Sequence, residues 1–241
     1  MCGRVQQTTP PEEIAERFGA ATESAAALRG AGWRARWNLA PSQPLLAIRA
    51  EAGDGGDPAP SAARPRVLVA LRWGLVPRWA KDPKIGHRLV NARAESAAEK
   101  PAFRDALRRR RCLVPVDGFY EWTSTGGPRA PWSVTSPAGD LLAIAALWER
   151  WRDPAAPAAP PLETCVLLTT GASASVRPVH DRMPVIVAPE DWARWLDPAE
   201  RDPAQLANVM APGERTVLAL RRVGPHVNDP RHDDPDCLHP V

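Results

Sequence analysis

The chain begins Met1-Cys2-Gly3-Arg4, and the small residue after the initiator methionine allows that methionine to be trimmed. Trimming leaves Cys2 with a free α-amine beside its thiol, which is a 1,2-aminothiol. An aminothiol condenses with one aldehyde, first to an imine and then to a five-membered thiazolidine ring. The ordinary pKa values, about 8.5 for a thiol and about 7.7–8.0 for an α-amine, leave a minor nucleophilic fraction of each at neutral pH. The terminus is therefore predicted to capture aldehydes with little further tuning.

Cys2 also has an interpretation without any function. A cysteine at the second position is often an accident of sequence, and N-termini are usually frayed and solvated. The chemistry needs partners elsewhere in the chain that orient the aminothiol and move protons.

Three further polar side chains lie in otherwise apolar segments, namely Asn91, Glu121 and His180. Each also has a structural interpretation. Glu121 follows a strand-like run and is equally typical of a solvated turn, and a lone histidine such as His180 is more often a satisfied hydrogen-bonding residue than a catalyst. The ten tryptophans are core or packing residues by default.

The cysteines do not form a metal-binding or disulfide pattern. Cys2, Cys112, Cys165 and Cys237 are scattered without any C-x-x-C pair, which argues against zinc and against a disulfide framework. Cys112 and Cys165 lie in apolar, strand-like runs and are predicted to be inert core thiols. We expect no metal and no cofactor.

The net charge of +3 is too small to prove a nucleic-acid partner. Nearly all positive charge is arginine, whose planar fork suits phosphate oxygens, but an Ala-, Arg- and Pro-rich chain is also typical of a GC-rich genome. The four arginines at 108–111 are expected to end a helix, where cations suit the helix dipole. They are a weak DNA signal.

The 241 residues fit one large domain or two small ones. No run of about 18 apolar residues exists, and the N-terminus lacks the apolar core of a signal peptide, so we expect a cytoplasmic protein. Residues 51–65 and 152–161 are rich in Gly, Asp, Ala or Pro and are predicted to be flexible surface loops. Cutting at either loop would separate strands that need partners, so one α+β domain over 1–241 is the simpler prediction.

The middle of the chain is predicted to be rich in strands. A short helix is expected over 9–18, with Thr9 as its cap and Glu12 completing a capping box. A longer helix is predicted over 96–110, and two short helices over 189–196 and 203–210. Strands are predicted from apolar runs at 45–48, 66–72, 112–116, 131–135, 141–148, 164–169, 184–187 and 216–220.

Four segments in order, Cys2-Gly3-Arg4, 73–79 with 91–95, 117–122 and 180–184, carry a resemblance to a known family. The chain resembles the SOS response-associated peptidase (SRAP) family of abasic-site processing proteins over essentially its whole length. This resemblance implies a single domain with a mixed, largely antiparallel, barrel-like β core flanked by short helices. Departures are few: Ser96 replaces a usual Thr, and Arg129 with Trp132 replaces a usual Lys and a smaller aromatic.

The resemblance also implies a function and a set of site residues. The protein would bind single-stranded DNA as a monomer and join covalently, through Cys2, to the aldehyde of an abasic site. Asn91 matches the asparagine that orients the cysteine, and Glu121 and His180 match the active-site acid and histidine. The resemblance further implies phosphate contacts by Arg4 and Arg93, packing against the flanking bases by Pro41, Trp79 and Trp122, and autoproteolytic release of Met1. A weak lyase activity is expected from the chemistry itself, because a proton acceptor beside an imine can remove a sugar proton and cut the strand.

Elementary chemistry agrees with these roles. An abasic deoxyribose is mostly a closed hemiacetal, and His180 is suited at neutral pH to protonate its ring oxygen. Glu121 would shuttle protons during imine formation, and we expect its pKa to be raised by packing against Tyr120 and Trp122. Two rival hypotheses stay open: a peptidase or amidohydrolase with an N-terminal cysteine nucleophile, and a non-covalent single-strand binding module that uses Trp79, Trp122 and the arginines.

Overall fold

The computed structural model describes residues 2–51, 64–123, 129–211 and 217–241. The strands are β1 (Val5–Gln7), β2 (Arg36–Leu39), β3 (Pro44–Ala50), β4 (Arg66–Trp73), β5 (Asn91–Arg93), β6 (Arg111–Val116), β7 (Gly118–Trp122), β8 (Pro131–Thr135), β9 (Leu142–Trp151), β10 (Leu162–Gly171), β11 (Arg182–Pro184) and β12 (Ala219–Arg222). The α-helices are α1 (Pro11–Phe18), α2 (Thr22–Gly30), α3 (Ala94–Ala97), α4 (Arg104–Arg109), α5 (Trp192–Leu196) and α6 (Ala207–Met210). Short 3₁₀ helices span Pro83–Arg88, Pro189–Asp191, Pro203–Leu206, Pro225–Asn228 and Pro235–Leu238.

Five strands close into a barrel in the order β4-β3-β6-β9-β10, with β10 pairing back onto β4. The β10–β4 pair is parallel and the other barrel pairs are antiparallel. β10 also binds β5 in parallel and β11 in antiparallel register. The C-terminal half of β10 therefore pairs with two short strands. Asn91 is the first residue of β5, and His180 lies just before β11.

Alternation of side chains along these strands divides the core in two. In β3, Leu46 and Ile48 pack in one apolar cluster with residues of the helices. Leu45 and Ala47 point the other way into a second cluster, which also includes Cys2. Cys2 is thus packed into the core.

The second sheet has the order β12-β8-β7-β1-β2 and is antiparallel throughout. Its β1 and β7 hold the segment that follows Cys2 and the strand that carries Glu121. Asp117 fixes this junction, because its carboxylate accepts hydrogen bonds from the backbone N–H of Thr8 (2.6 Å) and from Oγ1 of Thr9 (2.6 Å). The predicted α+β class with a barrel-like core is confirmed.

Some local predictions were wrong. Helix α1 exists, but Pro10 is its cap position without a side-chain cap bond, since Thr9 is bound to Asp117 instead. The helix predicted over 96–110 is two short helices, and Pro101 lies in the turn between them, where a proline cannot donate the helical hydrogen bond. Helix α2 was not predicted.

Two strand predictions were displaced along the chain. The strand predicted at 184–187 is β11, which ends at Pro184. The last strand is β12, beginning at Ala219, and residues 212–216 lie outside the described residues.

The arginine run at 108–111 does not form a surface patch. Helix α4 ends at Arg109, and Arg111 is buried in β6, where its Nε donates to the carbonyl oxygen of Trp195 (2.7 Å). The connection over 152–161 has neither helix nor strand and is mostly exposed, while most of the loop predicted at 51–65 lies outside the described residues. Among the described residues, no helix is long and apolar enough to cross a membrane.

Candidate active site

The segment Cys2-Gly3-Arg4 runs directly into β1, and the N–H of Tyr120 in β7 donates to the carbonyl oxygen of Arg4 (3.0 Å). Cys2 is 0% exposed and packs among apolar residues of both sheets. Burial raises the pKa of the Cys2 thiol far above its ordinary value. The expectation of a useful thiolate fraction at neutral pH was therefore wrong, because it assumed a solvated terminus.

Asn91 is the first residue of β5 and binds Cys2 directly. Its Nδ2 donates to the carbonyl oxygen of Cys2 at 2.7 Å. Its Oδ1 is buried and has no hydrogen-bond partner among the described residues. The asparagine therefore fixes the position of Cys2 and retains a buried acceptor beside it.

The segment 73–90 is built to present Asn91. Nε1 of Trp73 donates to the carbonyl oxygen of Val90 (2.8 Å), and the N–H of Leu75 donates to that of Leu89 (3.0 Å). Gly74 has φ +127°, and a Cβ at this position would lie 2.6 Å from the carbonyl oxygen of Gly86. Only glycine permits this close approach of the two backbone segments.

Glu121 lies in β7 and is 1% exposed. Burial raises its pKa to about 7, and its charge in turn raises the pKa of the Cys2 thiol further. The predicted elevation is confirmed, but its predicted cause was wrong. Alternation along β7 directs Tyr120 and Trp122 to the opposite face, where they pack with C-terminal residues. Glu121 shares its face with Phe119 and faces the cluster that contains Cys2.

His180 lies in the segment that precedes β11. Its Nδ1 is 2.9 Å from the backbone N–H of Arg182 and 2.9 Å from Oδ1 of Asp181. Because the amide position is fixed and Asp181 is largely exposed, we assign Nδ1 as the acceptor, which leaves the proton of the neutral ring on Nε2. Burial lowers the pKa of His180.

An ion pair joins the segments that carry Asn91 and His180. Nη1 and Nη2 of Arg182 donate to the two carboxylate oxygens of Glu95 at 2.5 and 2.9 Å, and Nη2 also donates to the carbonyl oxygen of Thr169 (2.7 Å). A bidentate arginine–carboxylate pair is geometrically specific. Sequence reasoning assigned no role to Glu95 or Arg182, although both lie in the motifs and carry opposite charges.

The two predicted phosphate-binding arginines lie in different environments. Nη1 of Arg4 donates to Oδ1 of Asn38 (2.8 Å) and to the carbonyl oxygen of Val227 (2.8 Å), and the guanidinium lies 5.8 Å from the ring centroid of Trp122. Arg4 thus ties the N-terminal segment to the C-terminal one. Arg93 is exposed and points to the same side of β5 as Asn91.

An open groove of about 450 Å³ adjoins the N-terminal segment and is lined by Gly3, Arg4, Trp122, Arg129 and Asn228. The indole Nε1 of Trp122 donates to Oδ1 of Asn228 (2.7 Å), which fixes the ring at the groove wall. Asn228 was not predicted as a groove residue, and Arg129 was connected with the groove only as a departure from the family pattern. Their positions depend on pairing between distant segments, which leaves no local sequence signal.

The remaining predicted contacts lie on neighbouring loops. Trp79 is 60% exposed, an unusual state for so large an apolar side chain. Pro41 is partly buried in the turn before β3, and Ser42 in that turn donates its N–H to the carbonyl oxygen of Trp73 (2.7 Å). This bond places the Pro41 turn beside the segment that leads to Trp79.

A family profile described as "SOS response associated peptidase (SRAP)" matches residues 1–230. The chain belongs to the SRAP family. Among its SRAP relatives, the abasic site processing protein YoqW of Bacillus subtilis is 35% identical over 99% of both chains. The abasic site processing protein HMCES of Gallus gallus is 32% identical, covering 89% of this chain and 68% of that protein.

Solved structures agree on the fold. The crystal structure of a protein from Bacteroides thetaiotaomicron superposes with a TM-score of 0.83 at 21% identity and covers all of both chains. A protein from Bordetella bronchiseptica gives a TM-score of 0.71 at 22% identity over 92% of this chain and all of that one.

Proposed function

We propose that this protein processes abasic sites in single-stranded DNA by forming a covalent thiazolidine crosslink through Cys2. The observation that carries the proposal is the arrangement at the N-terminus. Cys2 is held at its carbonyl by Asn91, and a buried carboxyl group with a pKa of about 7 acts electrostatically on its thiol. The choice of lesion rests on the names of two relatives, which are called abasic site processing proteins. An opened abasic sugar is an aldehyde, which is the group that an aminothiol captures.

Removal of Met1 starts the sequence, by an aminopeptidase or by the protein itself. The protonated form of His180 then donates its Nε2 proton to the sugar ring oxygen, the C1′ hydroxyl releases its proton to water, and the ring opens to the aldehyde. His180 returns to its protonated form by taking a proton from solvent. The α-amine of Cys2 attacks C1′, and Glu121 takes a proton from nitrogen and returns one to the departing hydroxyl, so that water leaves and an imine remains. A pKa near 7 suits a group that must both accept and donate protons at neutral pH.

The thiol then adds to C1′ and its proton goes to the imine nitrogen, which closes the ring. Overall, C1′ gains one bond to nitrogen and one to sulfur, and one water molecule is lost. Because burial keeps the Cys2 thiol protonated, the amine attacks first and the thiol second. A base beside the imine could also remove a sugar proton and cut the strand, so ring closure competes with weak lyase chemistry.

The groove supports DNA as the partner. Among the described residues, its lining contains two arginines and one indole and no carboxylate, which fits a phosphate chain with stacked bases. A peptide substrate has no such need for cations. This observation favours the crosslinking hypothesis over the peptidase hypothesis.

The test mixes purified protein with an equimolar amount of a single-stranded oligonucleotide that carries one abasic site. We expect an adduct that survives denaturing electrophoresis, is absent with undamaged DNA, and is absent for Cys2→Ala. Cys112→Ala is the matched control, because Cys112 is equally buried but lies inside β6, where no free α-amine accompanies its thiol. It should crosslink normally.

The alternatives give different results. Binding without any adduct would support the non-covalent module, and neither binding nor adduct would leave the peptidase. An extension that stays attached before Cys2 should abolish the adduct, since it blocks the amine. Full crosslinking by Cys2→Ala would make a lysine the nucleophile and would overturn the proposal.

A further inference from the structure

The last segment of the chain brings together three side chains that the abasic-site chemistry does not use. His226 lies in the 3₁₀ helix Pro225–Asn228, Asp234 caps the 3₁₀ helix Pro235–Leu238, and Cys237 lies within that helix. A ring nitrogen of His226, a carboxylate oxygen of Asp234 and Sγ of Cys237 all lie within 4.8 Å of one another. We propose that these residues bind a single divalent metal ion of the zinc class.

The spacing of the donors suits such an ion. Nε2 of His226 lies 3.1 and 3.2 Å from the two oxygens of Asp234. Zinc bonds of about 2.0–2.2 Å at tetrahedral angles separate nitrogen and oxygen donors by about 3.3 Å. A sulfur donor with a bond of about 2.3 Å would stand about 3.6 Å from them. Since Sγ lies within 4.8 Å of both other donors, a movement of about 1.2 Å at most would bring it into place.

The donor types select among metals. One sulfur, one nitrogen and one oxygen form a mixed set that zinc accepts, whereas calcium and magnesium prefer oxygen ligands throughout. On binding, the Cys237 thiol loses its proton to solvent and a sulfur–metal bond forms. A fourth position is left for water or for the carbonyl oxygen of His232, which lies 3.5 Å from Sγ.

Neighbouring groups already orient the ligands. The His226 ring stacks on the His232 ring with centroids 3.9 Å apart, and Nδ1 of His232 lies 2.9 Å from the carbonyl oxygen of His226. Oδ1 of Asp234 accepts from the N–H of Asp236 at 3.0 Å. Such outer contacts fix ligand orientation in metal sites.

The proposed metal site is accessible to solvent on one side and packed against the core on the other. The side chains of His226 and Asp234 are 34% and 46% exposed, so a hydrated ion can reach them. Cys237 is buried in the cluster of Tyr120, Val223 and Val227. The donor set is thus open on one side and held by the core on the other.

An ion here would act on the wall of the candidate active site. Val227 and Asn228 belong to the same short helix as His226, and their carbonyl oxygens accept from Arg4 at 2.8 and 3.2 Å. Bound metal would fix this helix and with it the groove. The metal proposal does not depend on DNA chemistry, and its test reads metal binding and thermal stability alone.

The test titrates zinc into the full chain carrying Cys2→Ala, which removes the thiol of the candidate active site as a competing ligand. We expect one ion per chain after dialysis and a higher unfolding temperature with zinc, because an ion that binds only the folded state stabilises it. Asp234→Asn keeps the oxygen that accepts from Asp236 but removes the anionic ligand, and should weaken zinc binding at least about tenfold. His226→Gln and Cys237→Ser should do the same.

His239→Gln is the matched control, because His239 is an exposed histidine of the same segment beside Asp236. It should bind zinc as the parent does. Cobalt gives a second readout, since a thiolate–cobalt charge-transfer band should appear and vanish in Cys237→Ser. Absence of zinc binding in the parent, or equal binding by a folded Asp234→Asn variant, would overturn the proposal.

Discussion

Replacing Glu121 by glutamine should make the protein more stable and less active at once. The carboxyl group is buried, and its pKa rises from 4.5 to about 7 in the folded state. Below about pH 4 the carboxyl group is protonated in both the folded and the unfolded chain, so it contributes little to the pH dependence of the unfolding free energy. As the pH rises from about 4.5 to 7, the unfolded chain releases this proton and the folded chain keeps it, so folded-state stability falls.

The size of the effect follows from the pKa difference. At about 1.4 kcal/mol per pH unit, the ionised carboxyl group costs the folded state about 3 kcal/mol above about pH 8. Glutamine has nearly the same shape and no charge. Glu121→Gln should therefore gain about 2–3 kcal/mol of unfolding free energy at about pH 8 and almost nothing at about pH 4.5, while adduct formation slows by about 10²–10⁴-fold.

Urea unfolding at the two pH values measures the first effect, and timed denaturing gels measure the second. Glu95→Gln is the control with the opposite sign, because hydrogen bonding from Arg182 lowers the pKa of Glu95 and its stabilising effect is present at high pH and lost in acid. A Glu121→Gln protein less stable than the parent at about pH 8 would refute the idea of a strained, proton-shuttling carboxylate.

Three further predictions concern the rest of the site. Asn91→Ala should slow adduct formation by about tenfold, the equivalent of one lost hydrogen bond to Cys2, with DNA affinity by fluorescence anisotropy unchanged; an unchanged rate would deny it an orienting role. Arg93→Ala should lower the slope of log affinity against log salt by about 0.7 without changing the unfolding free energy. Arg4→Ala should lower that slope and also cost about 1–3 kcal/mol of unfolding free energy, because it leaves buried acceptors without a hydrogen bond. If both variants behave alike in urea unfolding, the assignment of Arg4 as a structural tie fails. Trp79→Ala should weaken binding to undamaged single strands by about 1–3 kcal/mol and leave stability unchanged, and a loss of stability instead would make Trp79 a packing residue.

Regular patterns were predictable where a local rule decided the structure. The apolar runs around Leu46, Val114 and Val166 formed barrel strands because burial and β-propensity agreed. Helix 96–110 failed because apolar periodicity was weighed above Pro101. The cap at Thr9 failed because a distant partner, Asp117, offered its side chain a better bond.

The sequence supplied candidate site residues but not the environment of each. Asn91, Glu121 and His180 were identified through their motifs, yet the environment of each depends on burial that no local sequence shows. Cys2 appeared solvated from its position in the chain, whereas pairing of β1 between β2 and β7 buries it. Arg129 and Asn228 enter the groove only through long-range packing, as do the three donors near Cys237.

The central claim is that both nucleophilic atoms of Cys2 end on one carbon of the lesion. Mass spectrometry of the protease-digested adduct tests it most directly. The account predicts a single modified peptide that begins at Cys2, with the mass of peptide plus sugar fragment less one water, and with a sulfur that resists alkylation. A modified peptide containing Lys81, Lys84 or Lys100, the only lysines of the chain, or a Cys2 adduct whose thiol still alkylates, would contradict it.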